Sequence, residues 1–272
     1  MIQELFSLDG EIAIVTGGAG VIPKAMAVTL LQAGASVAVW GRGTSHPVQE
    51  AVDDLISQTG VPASRLLGVT VDTGDEDAVV SALQTTADGL GEPTILVNGV
   101  GGNRGKSPFV DIDTETFADV VNMNLLAGLV IPLKVCARRW IEKEIPGSVI
   151  NMGSMTSFVP LSGVWAYNAA KSAVKNLTEG AAREFAPYGI RVNGIAPGFF
   201  VGHQNRSLLI KDDSTGELTE RGQAIIDRTP FARFGEAADM TGATVFLCSR
   251  KAAGFITGVT LPVDGGYLVN SI

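Results

Sequence analysis

Histidine and cysteine are scarce in this chain of 272 residues, which has only two of each. His46 and His203 are too few for a histidine-based metal site, and no metal is expected. Cys136 and Cys248 fall in apolar helical contexts without metal-ligand spacing, so buried free thiols in a reducing cytoplasm are the expectation. Basic residues are short as well: 20 Lys and Arg face 28 Asp and Glu, for a net charge of −8 and a pI near 4.8. That balance lacks the basic footprint of a nucleic-acid binder, and any anionic substrate must be attracted locally. The opening M-I-Q-E-L-F-S-L-D-G carries acids where a signal peptide has a basic and then an apolar segment, so none is expected. The longest apolar run, 125–137, is interrupted by Lys134 and is too short to span a bilayer. The high hydrophobic content, 46%, is therefore assigned to a buried sheet.

What is present is an alternation of β and α patterns without repeats or linkers. E-I-A-I-V-T leads into a glycine turn at 17–20 and a helical pattern over 24–33, with Pro23 compatible with the first helical turn. Such a turn opens a helix N-terminus to a pyrophosphate, or is a plain βα connection. S-V-A-V-W-G-R is a second strand ending in Gly41 and Arg42, where an arginine suits a 2′-phosphate better than an acid would, stacks on adenine, or is a solvated charge. A helix over 47–59 and a strand ending at Asp72 follow. Asp72 either receives an adenine amino group or caps the helix over 74–88. T-I-L-V-N-G-V-G-G is a fourth strand running into a second glycine turn at 99–102, which in an open parallel sheet faces the same crevice as the first. The pattern over 114–143 predicts one long helix, with Asn122 and Asn124 in its interior. S-V-I-N-M and G-I-R-V-N-G-I-A-P-G are two further strands. Residues 199–230 are irregular and sit where such folds carry a substrate lid; a helix over 236–249 and a last strand in G-V-T-L-P-V-D-G-G-Y close the chain. The strict alternation predicts one doubly wound α/β domain over 1–272.

The chemistry concentrates between Ser154 and Lys171. Tyr167 and Lys171 stand four apart in a run without Gly or Pro, so they share a helix face. A phenol ordinarily ionises near pH ~10, too high for a neutral-pH base, but an adjacent cation favours the phenolate. Tyr167 could then exchange a proton with a substrate oxygen to which Ser154 donates a hydrogen bond. Taken alone, a Tyr-x-x-x-Lys pair is equally an ordinary amphipathic helix.

Together these motifs resemble the classical short-chain dehydrogenase/reductase family over essentially the whole chain: T-G-G-A-G, Asp72, Asn98 to Gly101, Asn124, Ser154, Y-x-x-x-K, Pro197-Gly198 and D-G-G at Asp264. The resemblance implies a Rossmann-type sheet of seven parallel strands, a nicotinamide cofactor and a homotetramer. It implies Tyr167 as general acid/base, Lys171 as the group that lowers its pKa and holds the nicotinamide ribose, Ser154 as the polariser of the reacting oxygen, and Asn124 as the holder of a water linking Lys171 to solvent. It assigns the cofactor to Gly17, Gly18, Gly20, Val21, Ile22, Gly41, Arg42, Asp72, Thr73, Asn98, Gly99, Val100, Tyr167, Lys171, Pro197 and Gly198, with NADP favoured over NAD. Two departures stand out. Val21 and Pro23 replace the last two glycines of T-G-x-x-x-G-x-G, and Gly99 and Val100 replace the second Asn and the Ala of N-N-A-G.

A narrower likeness, carried by G-V-G-G-N, G-F-F-x-x-x-Q-N-R and T-G-E-L-T-E-R-G, is to the short-chain type of D-mannonate oxidoreductase, or fructuronate reductase. It implies hydride transfer between D-mannonate and D-fructuronate, with Arg104 and Gly105 departing from that type's usual His and Pro. Ser154, Tyr167, Asn103, Arg104, Gln204, Asn205 and Arg206 form the expected substrate set, with Lys106 on the same rim as Arg104. Rim charges can equally be solvated or serve subunit contacts. Other readings are a reductase of another polyol, keto-gluconate or 3-oxoacyl substrate, and a non-catalytic cofactor sensor.

Overall fold

The computed structural model describes residues 1–44, 47–202, 205–212 and 214–270. Seven parallel strands form one sheet: β1 (Ile12–Thr16), β2 (Ser36–Gly41), β3 (Leu66–Thr70), β4 (Ile95–Asn98), β5 (Ser148–Met152), β6 (Arg191–Pro197) and β7 (Thr260–Val263). Their order is β3-β2-β1-β4-β5-β6-β7, the doubly wound Rossmann-type arrangement expected. The order reverses between β1 and β4, which pair in parallel, and this opens a crevice beyond their carboxyl ends.

The strands are buried on both faces, and alternate residues feed two cores. Ala13, Val15, Val37, Val39 and Val97 point to one side, against Met26 and Leu30 of α1 (Val21–Gln32), Leu55 of α2 (Val48–Thr59) and Leu247 near the chain's end. Ile14, Ala38, Trp40, Leu96 and Val149 point to the other. There they meet Val79 and Leu83 of α3 (Glu76–Leu90), Leu133 and Trp140, and Val174. Both cysteines are buried, and burial pushes each thiol up to about 12, which leaves them unreactive.

The helix expected over 114–143 is three pieces: α4 (Thr114–Val121), a π-helical stretch (Asn122–Val130), and α5 (Ile131–Glu142). The second glycine turn explains the widening. The Asn124 amide reaches out of the helix to both peptide groups of Gly102, accepting from its N–H at 3.0 Å and donating to its carbonyl at 2.7 Å. Asparagine is a poor helix residue, but here it ties the helix to the crevice. By length and composition Thr114–Glu142 could cross a membrane, yet half of its most apolar window is buried in the domain.

α6 (Trp165–Phe185) follows β5 and packs beneath the sheet. The region expected to be irregular, 199–230, has more order than its composition suggested. It holds a short helix (Arg206–Leu209), an antiparallel pair (Ile210–Asp212 with Glu217–Leu218) and α7 (Glu220–Arg228). Thr219 caps α7 by accepting from Gly222 N–H, and its hydroxyl donates to the Leu208 carbonyl, which holds the two helices together. α8 (Thr241–Cys248), preceded by a 3-10 turn, completes the first helical layer.

Candidate active site

β5 ends at Met152, and Ser154 opens a 3-10 turn (Met155–Ser157) with its hydroxyl accepting from Thr156 N–H at 3.2 Å. A residue the sequence did not single out, Ser157, anchors this turn. Its Oγ accepts from Ser154 N–H and donates to the Lys171 carbonyl at 2.7 Å, binding the loop to α6. Asn168 does the same on the other side, closing on both peptide groups of Leu161. Ser154, Tyr167 and Lys171 thus converge, with the Ser154 hydroxyl near enough to the Tyr167 phenol to favour its ionised form.

The electrostatics differ from expectation in one respect. Burial pushes the Tyr167 phenol above its ordinary value, and the Ser154 hydrogen bond only partly offsets it. Lys171 does not reverse this. Its ammonium donates to the Met152 carbonyl at 2.7 Å and lies 5.6 Å from the centre of the Tyr167 ring. Buried at 3% exposure, Lys171 is itself lowered to about 8. The resting site is therefore a phenol beside an ammonium, already protonated for reduction.

The sign for stability follows from that lowering. Between about pH 8 and the ordinary 10.5, the unfolded chain keeps a proton on Lys171 that the folded chain has lost, so stability from this group rises with pH across that window. Below about 8 the penalty is fully present. Denaturant melts across the window should show this rise in the wild type, and the Lys171→Met variant should lack it.

Two glycine turns flank the crevice. The first lies between β1 and α1, whose N-cap, Gly20, leaves the helix start without a side-chain cap, as an anion site requires. The second is locked to it by Thr16, whose Oγ1 accepts from Gly99 N–H at 3.0 Å and Val100 N–H at 3.3 Å. The departures at Pro23 and Gly99 prove to be one adaptation. A β carbon at Gly99 would lie 2.4 Å from the Thr16 carbonyl and 2.7 Å from Pro23 Cγ, so the buried proline ring fills the space of a residue-99 side chain. Pro23 therefore packs between the turns. Val21 faces the Gly202 loop, 3.6 Å from its β position.

Other expected residues fall as follows. Asn98 is fully buried and donates to Asn151, which donates to Thr178, so its side chain bolts β4 to β5 and α6. Asp72 accepts from Gly74 N–H, and Asp75, not Asp72, caps α3. Gly41 ends β2 with Arg42 exposed beside it, Thr73 is buried, and Pro197-Gly198 ends β6 beside β7. Asn124 has both side-chain N–H groups committed, to the Gly102 and Val120 carbonyls, so its side chain clamps the helix to the second glycine turn. Asn205 accepts from Gly202 N–H and donates to the Phe200 carbonyl, so its amide clamps its own loop. Asn103 donates to Gly105, and Arg104 and Arg206 are exposed. Gln204 lies outside the described residues. A cavity of about 350 Å³ beside β6 and β7 is lined by Gly198, Phe200, Arg233 and Asp264, and by none of the convergent trio.

Crevice, uncapped helix start and phenol–ammonium pair together fit a nicotinamide dinucleotide. A family model described as enoyl-(acyl carrier protein) reductase matches residues 17–268. The chain belongs to the short-chain dehydrogenase/reductase family. It is an oxidoreductase of that family and is similar to several members along its whole length. An uncharacterized oxidoreductase of Bacillus subtilis (strain 168) is 35% identical over 97% of each chain, and gluconate 5-dehydrogenase of Gluconobacter oxydans is 34% identical over 98% of each. Among solved structures, a gluconate 5-dehydrogenase from Burkholderia cenocepacia in complex with NADP and tartrate superposes with a TM-score of 0.87 at 29% identity, each chain fully covered. A Haemophilus influenza protein with bound NAD, designated a D-mannonate oxidoreductase, gives 0.86 at 31% identity over 100% of this chain and 99% of its own.

Proposed function

We propose that this reductase interconverts a secondary alcohol and a ketone of a sugar acid, with D-mannonate and D-fructuronate as the leading pair and NADP as the preferred cofactor. The observation that carries the reading is the convergence of Ser154, Tyr167 and Lys171 beneath a rim bearing Arg104. Relatives of matching length named for gluconate, and a structural neighbour named for D-mannonate, support the substrate class.

The nicotinamide, when bound, supplies or accepts the hydride. In the reductive direction Tyr167 delivers a proton to the carbonyl oxygen as it gains charge, and Ser154 donates a hydrogen bond to the same atom. Lys171 would hold the nicotinamide ribose, and it keeps positive charge near the developing phenolate. Gly17, Gly18, Gly20 and the helix start at Val21 and Ile22 would receive the pyrophosphate, Asp72 and Thr73 would serve the adenine, and Gly99 and Val100 the ribose. Oxidation requires Tyr167 to take a proton, and its pKa is raised. The rate of alcohol oxidation is therefore expected to climb with pH on the alkaline side of neutral while ketone reduction falls, in paired steady-state pH profiles.

The test is loss of reduced-nicotinamide absorbance with D-fructuronate or 5-keto-D-gluconate and either NADPH or NADH. Rapid oxidation by fructuronate supports the leading pair; oxidation by 5-ketogluconate alone moves the assignment to the gluconate dehydrogenases. Arg42→Ala is expected to weaken NADPH about 10-fold or more while moving NADH little, since a charge-assisted hydrogen bond contributes about 1.5–3 kcal/mol. Equal effects on both cofactors would count against the 2′-phosphate role. A homotetramer in the cytoplasm completes the reading, supported by apolar side chains along the open β7 edge, Val259 and Leu261 among them.

A further inference from the structure

The loop joining Ser154 to Tyr167 carries a track for one lysine. Gly163 adopts the left-handed region, φ +82°, and a β carbon there would lie 2.6 Å from Lys106 Cγ and 2.9 Å from Lys106 Cε. The Lys106 stem is thus laid flat across the loop, closer than any residue but glycine permits. Backbone bonds fix this arrangement. Ser107 N–H donates to the Gly163 carbonyl at 3.1 Å, and Trp165 Nε1 donates to the Ser107 carbonyl at 3.0 Å. The Phe109 ring meets Trp165 edge-on, with centroids 5.3 Å apart. Residues 106–109 are therefore stapled to the first turn of α6, two positions before Tyr167.

A surface lysine ordinarily samples many rotamers and loses that freedom on binding an anion. Lys106 is exposed, but its stem lies against Gly163, and its ammonium sits one bond beyond a Cε laid on the Ser154–Tyr167 loop. Neither Lys106 nor Arg104 forms an ion pair among the described residues. In a chain of net charge −8, an unpaired cation on the loop that joins Ser154 to Tyr167 is a local attraction for an anion. The rim amides are less available, since Asn205 is bonded at both ends within its own loop and Asn103 donates to Gly105.

We propose that Lys106 is a specificity-determining residue that receives the substrate carboxylate, with Gly163 as the surface that aims it. This rests on the sugar-acid reading above. Arg104, exposed like Lys106, has no glycine track beneath it, so its contribution to charge selection is the smaller one.

Lys106→Met tests this directly, because its apolar stem still lies on Gly163 and only the charge is removed. kcat/KM is measured for the sugar acid that the wild type reduces and for an uncharged ketohexose. Where the latter turns over too slowly, competitive inhibition by gluconate and by sorbitol gives the same comparison. The preference for the charged ligand is expected to fall about 10-fold or more, chiefly through KM or Ki, since a hydrogen bond to a charged group contributes about 1.5–3 kcal/mol. Lys106→Arg should retain part of it, and Gly163→Ala should lose it by displacing the stem. A wild-type preference kept by Lys106→Met overturns the assignment while the sugar-acid reading stands. Failure of the wild type to reduce or bind any sugar acid removes both.

Discussion

Replacing Tyr167 with Phe is expected to lower turnover by about 10²–10⁴-fold, the range for loss of a positioned general acid/base, while reduced-cofactor binding holds. The ring stays in its packing and only the hydroxyl goes, so folding should not confuse the result. Steady-state turnover and a fluorescence titration of bound NADPH separate the two effects. The expected size reflects how few groups could substitute. Ser154 is tied to Thr156 N–H and Lys171 to the Met152 carbonyl, and the described site has no other phenol, carboxylate or imidazole joined to this pair. Turnover undiminished by this change would sink the proposed mechanism, and with it the reading of a phenol kept protonated by burial.

The second large effect is expected from a residue that carries no functional group. A β carbon on Gly101 would stand 2.7 Å from Asn124 Oδ1 and 3.2 Å from Lys171 Nζ, between the clamp of the second glycine turn and the ammonium beside Tyr167. Gly101→Ala must move one of them. The Asn124 contact is the tighter, so the Asn124–Gly102 clamp must shift, and Lys171, crowded in turn, is drawn from the Met152 carbonyl. A displacement of that order at a reacting group costs about 10²-fold in rate. Overpacking should also lower stability by about 1–3 kcal/mol. The check is kcat at saturating cofactor alongside a thermal melt. A stability loss without a rate loss would mean that the turn, not Lys171, gives way.

Much of this architecture is legible in the residues taken in order. The β-branched runs separated by helical patterns require a parallel sheet, and Tyr167 and Lys171 lie on one helix face because four residues make about one turn. What escaped that reading depends on segments far apart in the chain. Thr16 and Gly99 are 83 positions apart, yet one hydroxyl serves two peptide groups of the second turn. The π-helical stretch likewise has no local signal beyond two awkward asparagines, because the bonds of Asn124 within it run to Gly102, 22 positions away. Spacing alone predicts that Lys171 lowers the Tyr167 pKa; the direction is instead set upward by burial, which has no spacing. The Lys106 track has only Gly163 as its mark, one glycine among 33.

The fit of Pro23 against Gly99 bears on how such a chain could be redesigned or could have diverged. Positions 23 and 99 are not independent sites: restoring asparagine at 99 before the proline ring is vacated drives a side chain into it and into the Thr16 carbonyl. Removing the ring first leaves an unfilled gap between the two turns. Either single step crosses a less stable intermediate, so interchange between this pattern and the commoner glycine–asparagine one has a barrier that a residue-by-residue graft would meet and a simultaneous exchange, with the turn free to resettle, would bypass.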